Sequence, residues 1–157
     1  MEKLLTIVVP AYNVEKYIKN CLDSFIDLSV LRSLEILIVD DGSTDSTASL
    51  AHTYEQKYPY SFKVLSKENG GHGSTINYAI PRATGKYFKV VDGDDWLDKS
   101  LLPQFVQLLK TRTRMSYPMT STWWMIGQRR SQSAERQCPT LITTTGSGAL
   151  LRPSWTR

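Results

Sequence analysis

The hydrophobic positions of this chain come in short runs separated by stretches of helical spacing. Residues 4–9 form a nearly continuous apolar run with β-branched side chains, the pattern of a strand buried on both faces and hence of a parallel sheet. Pro10 is expected to end it. Ile18, Cys21, Leu22 and Phe25 then recur at helical spacing behind Asn13, which stands where an N-cap belongs, and this predicts an amphipathic helix over 14–26. The unit repeats: a buried strand over 34–39, turn and capping residues from Asp40 to Asp45, then Ala48, Ala51, Tyr54 and Tyr58 at near-helical spacing. A third strand is predicted over 62–66, a glycine-rich loop over 67–73 and a short helix over 75–83 that Pro81 shortens or kinks. Gly85 then releases the chain into a fourth strand over 86–91, and a further helix follows over 101–109. Such alternation predicts an open, largely parallel α/β sheet flanked by helices. Ligands bind such sheets outside the carboxyl ends of the strands, where Tyr12-Asn13, Asp40-Asp41 and the run from Asp92 to Asp95 all fall.

Composition is that of an ordinary globular domain: 157 residues, 41% hydrophobic and 22% charged. The net charge of +4 invites a nucleic-acid or membrane reading until the charges are located. Residues 1–110 hold 12 Lys and Arg against 14 Asp and Glu, whereas residues 111–157 hold seven Arg, no Lys and one Glu. The basic balance belongs wholly to the tail. No apolar run approaches the ~18 residues that cross a bilayer, and the first residues lack a signal-peptide pattern, so a cytoplasmic location is expected. Cys21 and Cys138 have neither metal-ligand nor disulfide-framework spacing and are expected to be free thiols.

Three carboxylates within four positions, Asp92, Asp94 and Asp95, repel one another unless a cation or donors compensate. Oxygen-only ligands suit Mg²⁺ or Mn²⁺, which keep waters and share a substrate's phosphates. A solvated turn, in which Asp and Gly are common for conformational reasons, accounts for the same residues. Asp40 and Asp41 can accept hydrogen bonds from a base or a ribose, while capping and turn formation explain Gly42 and Ser43 completely. The glycines of the 67–73 loop let its backbone approach a ligand, and they equally suit a plain surface loop around His72.

In combination, Val8-Val9-Pro10-Ala11-Tyr12-Asn13, Ile38-Val39-Asp40-Asp41-Gly42-Ser43-Thr44-Asp45 and Val90-Val91-Asp92-Gly93-Asp94-Asp95 resemble the family 2 glycosyltransferases in order and spacing. Between them, Glu68-Asn69-Gly70-Gly71-His72-Gly73 and Asn77 look like the same family's donor-side loop and helix. The resemblance implies a GT-A fold and an inverting transfer from a nucleoside-diphosphate sugar, most often a UDP sugar, to a hydroxyl of a glycan or lipid-linked acceptor. It implies that Pro10, Ala11, Tyr12 and Asp41 border the nucleoside with Asp40 close behind, and that Asp92 faces the ribose or sugar. Asp94 would coordinate Mn²⁺ or Mg²⁺, Asp95 being an alternative ligand or a support behind it, and Gly71 and His72 would contact the donor. Glycan or polysaccharide assembly at the inner face of a bacterial membrane, without a spanning segment, is the work such a family suggests.

The resemblance covers roughly residues 3–110, a domain truncated before the family's general base and much of its acceptor pocket. Residues 111–157 lack a sustained period and break the upstream charge pattern, so they read as an atypical tail, out of frame or disordered. A non-catalytic nucleotide-binding remnant is the alternative function; a third is a nucleic-acid binder using the tail's Arg and Trp. Trp and Met each have one codon, so Thr122-Trp123-Trp124-Met125-Ile126 carries a forced Val-Asp-Asp when read from the last base of the Thr122 codon. The coding DNA is expected to yield a family-like acidic and apolar product in another frame after codon 110; sequencing that finds none contradicts the frame-shift reading.

Overall fold

The computed structural model describes residues 2–111 of the chain. Four strands, β1 (Leu5–Ala11), β2 (Leu34–Asp40), β3 (Phe62–Ser66) and β4 (Tyr87–Val90), form one sheet in the order β3-β2-β1-β4, every pair parallel. The helices are α1 (Ile18–Asp23), α2 (Thr47–Lys57), α3 (His72–Ala79) and α4 (Leu102–Thr111), with 3₁₀ turns at Leu31–Ser33 and Ile80–Arg82.

All seven residues of β1 are buried, because helices cover both sheet faces. On one face Leu5, Ile7, Val9, Ile36 and Ile38 pack with Ile18, Leu22 and Phe25 of the α1 segment, Ala51 of α2, and Leu102, Val106 and Leu109 of α4. On the other, Val8, Leu37, Val39 and Phe88 pack with Ile76 and Ala79 of α3 and with Ile80. Alternate residues of β1 and β2 serve opposite cores, which is why their apolar runs are continuous. Among the described residues no helix is long and apolar enough to cross a membrane.

Three expectations are adjusted. Pro10 does not end β1, whose register with β2 continues through Pro10 opposite Val39 and Ala11 opposite Asp40. The Pro10 carbonyl accepts from Gly93, so its nitrogen also faces the β4 side, where ladder pairing has already stopped at Val90; the missing N–H costs no ladder bond there. Helix α1 occupies only Ile18–Asp23 of the 14–26 span, and Asn13, at φ 52°, is not its N-cap. Helix α3 starts at His72, three residues early, because Gly71 at φ 83° turns the chain into it.

The step from β3 back past β2 and β1 to β4 reverses the strand order beside β1, and ligands of such sheets bind at the carboxyl ends of this switch point. At the opposite end Gly85 lies against β1: a Cβ there would stand 2.5 Å from the Thr6 backbone nitrogen and 2.8 Å from the Leu5 carbonyl carbon. Gly85→Ala is therefore expected to destabilise the chain by about 2 kcal/mol, seen as a lower urea midpoint with an unchanged m-value. An unaltered midpoint would contradict this close packing.

Candidate functional site

Two turns meet at the ends of β1 and β2. Asp40 Oδ1 accepts from the Ser43 N–H at 3.1 Å, closing the turn after β2. Asn13 Oδ1 accepts from the Thr44 N–H at 2.8 Å, and the Asn13 N–H donates to Ser43 Oγ at 3.1 Å. Thr47 Oγ1 and Asp45 Oδ2 take the N–H groups of Val14 and Glu15. These bonds, not helix capping, use the polar residues around Asn13, and they hold Tyr12 half-exposed on the rim above buried Pro10 and Ala11.

Asp41 is 3% exposed, and its charge is met from the loop after β3. Lys67 Nζ lies 2.5 Å from Oδ1, the Gly70 N–H donates to Oδ1 at 3.0 Å and the Gly71 N–H to Oδ2 at 2.8 Å. Burial pushes the Asp41 carboxyl pKa up, but these donors and the Lys67 charge more than offset it, so the group ends below its ordinary value. The side chain of Lys67 is itself largely covered and also donates to the Glu68 carbonyl. A Cβ on Gly70 would stand 2.7 Å from Ser74 Oγ and 3.0 Å from Lys67 Nζ, so a larger residue there would displace those two side-chain ends.

The acidic run follows β4. The Gly93 N–H donates to the Pro10 carbonyl at 3.1 Å, and a Cβ on Gly93 would sit 3.0 Å from that oxygen, so a glycine lets the run lie against β1. Asp92 is exposed and accepts from His72 Nε2–H at 2.8 Å. Asp94 is exposed; Asp95 is half-buried, and burial together with the negative charges of Asp94 and Asp92 raises its carboxyl pKa, against a smaller opposing effect of Lys89. Burial lowers Lys89 to about 8, with Asp95 acting in the opposite direction. Cys21 is a buried free thiol beneath the run, pushed up by burial and then by the charges of Asp95, Asp94 and Asp92. Cys138 lies outside the described residues.

The donor set suits a hard divalent cation in kind, being carboxylate oxygens whose mutual repulsion a cation would relieve. It falls short in number, since no group of three His, Cys, Asp or Glu side chains among the described residues has ligand geometry. A cation at Asp94 or Asp95 would thus draw its remaining ligands from water and a bound anion, as Mg²⁺ and Mn²⁺ sites do.

The chain's fold brings Tyr12, Asp40, Asp41, Gly71, His72, Asp92, Asp94 and Asp95 to one rim, the carboxyl ends of β1, β2 and β4 with the loop that enters α3. Sequence reading missed Lys67, because its partner Asp41 lies 26 positions away and no local pattern links a strand-end lysine to that carboxylate. It also treated His72 and Asp92 separately, although they are bonded.

Because the folded Asp41 carboxyl lies below its unfolded value, its contribution to stability is complete above the ordinary carboxylate range and is lost as pH falls through the folded pKa. Asp41→Asn is expected to cost about 2 kcal/mol near neutral pH and to flatten the loss of stability below about pH 4. Urea unfolding of both proteins across that range checks this. An equally steep acid limb in the variant would contradict the assignment.

The sequence pattern described as "Glycosyl transferase family 2" matches residues 6–152, past the boundary read at 110 and into residues that the structure does not describe. The chain is 35% identical over 107 residues to the glycosyltransferase EpsJ of Bacillus subtilis, covering 68% of this chain and 30% of that protein. Among solved structures it resembles S. aureus TarS 1–349 in complex with UDP-GlcNAc, with TM-score 0.61 and 33% identity over 68% of this chain and 31% of that one. It also resembles the mannosyltransferase PcManGT of Pyrobaculum calidifontis in complex with GDP-Man and Mn²⁺, with TM-score 0.55 and 27% identity over 61% and 29% of the two chains. The chain thus spans less than a third of the length of these relatives. The open parallel sheet with its flanking helices matches GT-A neighbours such as TarS, and the chain belongs to glycosyl transferase family 2.

Proposed function

We propose that residues 1–110 are the donor half of a glycosyltransferase that takes a sugar from a UDP sugar, with the Arg-rich residues 111–157 standing apart from that half. The observation that carries this reading is the gathering of Asp41, Asp92, Asp94 and Asp95 on one rim at the reversal of strand order. The relatives support the ligand classes: TarS is a UDP-GlcNAc complex and PcManGT a GDP-Man complex with Mn²⁺.

In this reading the nucleoside lies against the half-exposed ring of Tyr12, with buried Pro10 and Ala11 as the floor beneath it, beside the turn that Asp40 closes and the loop that Asp41 fastens. Asp92 accepts from a hydroxyl of the ribose or sugar, and Gly71 and His72 flank the diphosphate side. Asp94, backed by Asp95, would hold Mn²⁺ or Mg²⁺, which supplies charge neutralisation to a departing diphosphate. Transfer breaks the bond between the anomeric carbon and the diphosphate oxygen as an acceptor hydroxyl attacks from the opposite face, inverting the centre. The acceptor's proton passes to a base outside the described residues, and the acceptor itself is a glycan or a lipid-linked sugar met at the inner face of the membrane.

The test is calorimetric titration of the full chain with UDP, with and without Mn²⁺, repeated on Asp94→Ala. Binding that requires Mn²⁺ and weakens at least about tenfold in the variant, ~1.4 kcal/mol, is the expected result. A folded protein that binds no UDP would overturn the reading. UDP affinity without sugar release from any UDP sugar would instead make the chain a nucleotide-binding remnant of its family.

A further inference from the structure

The loop entering α3 is fastened at two consecutive places. Buried Asp41 takes the N–H groups of Gly70 and Gly71, and the next residue, His72, donates from Nε2 to exposed Asp92 at 2.8 Å. The start of α3 is therefore tied both to the residue after β2 and to the run after β4. The side chains of His72 and Asp92 are 58% and 52% exposed, and the Cβ positions of Gly71 and Gly73 have no atom within 4 Å, so this bridge borders open space. Asp92 is also fixed through its backbone, because the following N–H, that of Gly93, is bonded to Pro10. Asp94 differs: it is exposed, and among the described residues no side chain bonds it.

A carboxylate with one oxygen engaged by an imidazole keeps the other for a further donor, whereas an unengaged exposed carboxylate reorients freely towards a cation. The geometry points to His72 as a positioning residue: it keeps Asp92 turned towards α3, where its second oxygen meets a donor hydroxyl, and leaves the divalent cation to Asp94. The inference rests on the donor-site reading above, and it separates two aspartates that a three-carboxylate run presents as equivalent.

The experiment uses the full chain as wild type, His72→Ala and His72→Gln. Mn²⁺ affinity without nucleotide is read from the electron paramagnetic resonance of free Mn²⁺, nitrogen coordination from electron spin echo modulation, and UDP affinity at saturating Mn²⁺ by calorimetry. Expected in His72→Ala is UDP binding weaker by about fivefold, the equivalent of one net hydrogen bond, with Mn²⁺ alone bound about threefold more tightly as released Asp92 joins the cation. His72→Gln, which retains an N–H donor, should recover most of the UDP affinity, and wild type should show no directly coordinated nitrogen. A ¹⁴N signal from bound Mn²⁺, or weaker Mn²⁺ binding in His72→Ala, would overturn the inference by making His72 a ligand. Weaker UDP binding with Mn²⁺ affinity unchanged would overturn it by making His72 a direct donor contact, and no change in either would make the bridge inert. Wild type that binds no UDP fails the donor-site reading itself, a result distinct from all of these.

Discussion

The site depends on one buried charge. Asp41 lies at the end of a strand packed on both faces, and a carboxylate there is tolerable only with donors to replace water. Those donors are Lys67 and the Gly70 and Gly71 amides, all from the loop after β3, so the cost of burying one group dictates the path of a segment about thirty residues away. A side chain on Gly70 would press on Lys67 Nζ and Ser74 Oγ, Gly71 adopts a positive φ, and α3 begins where this loop ends. The position of His72, and through it that of Asp92, follows from the same requirement.

The second constraint is repulsion within the run after β4. Burial and the charges of its neighbours disfavour ionised Asp95, Lys89 relieves this in part, and the thiol of Cys21 below is held neutral. A divalent cation would relieve this repulsion, and because no group of three protein ligands converges among the described residues, water and a bound anion would complete its ligand set. In the proposed reading, a cation shared with a bound diphosphate would meet both conditions. The reversal of strand order between β1 and β4 is the place where ligands of open parallel sheets bind.

Much of this was legible in the sequence because it is local. Continuous apolar runs identified β1 and β2, the loop after β3 and Gly85 before β4 bracketed the other two strands, and helical spacing identified α2 and α4 to within a few residues. The acidic clusters were legible because they sit at strand ends, which a parallel sheet brings to one rim. What escaped was non-local or depended on backbone direction. Pro10 stays in β1 because its nitrogen faces a side where the ladder has ended, which no window around Pro10 reveals. Asn13 resembles a cap in sequence but bonds Thr44 across the turn, and Lys67 is an ordinary loop lysine until Asp41 is placed beside it. The division at residue 110 and the origin of the tail concern residues outside those described.

The central claim is that the rim built around Asp41 binds a nucleoside diphosphate. The most direct measurement is the amide ¹H–¹⁵N spectrum of the full chain during titration with UDP in the presence of Mg²⁺. The account predicts shifts concentrated at residues 10–13, 40–43, 67–73 and 92–95, with the sheet's opposite end around Thr6 and Gly85 unmoved. Saturable shifts centred elsewhere, or none in a folded protein, would contradict it.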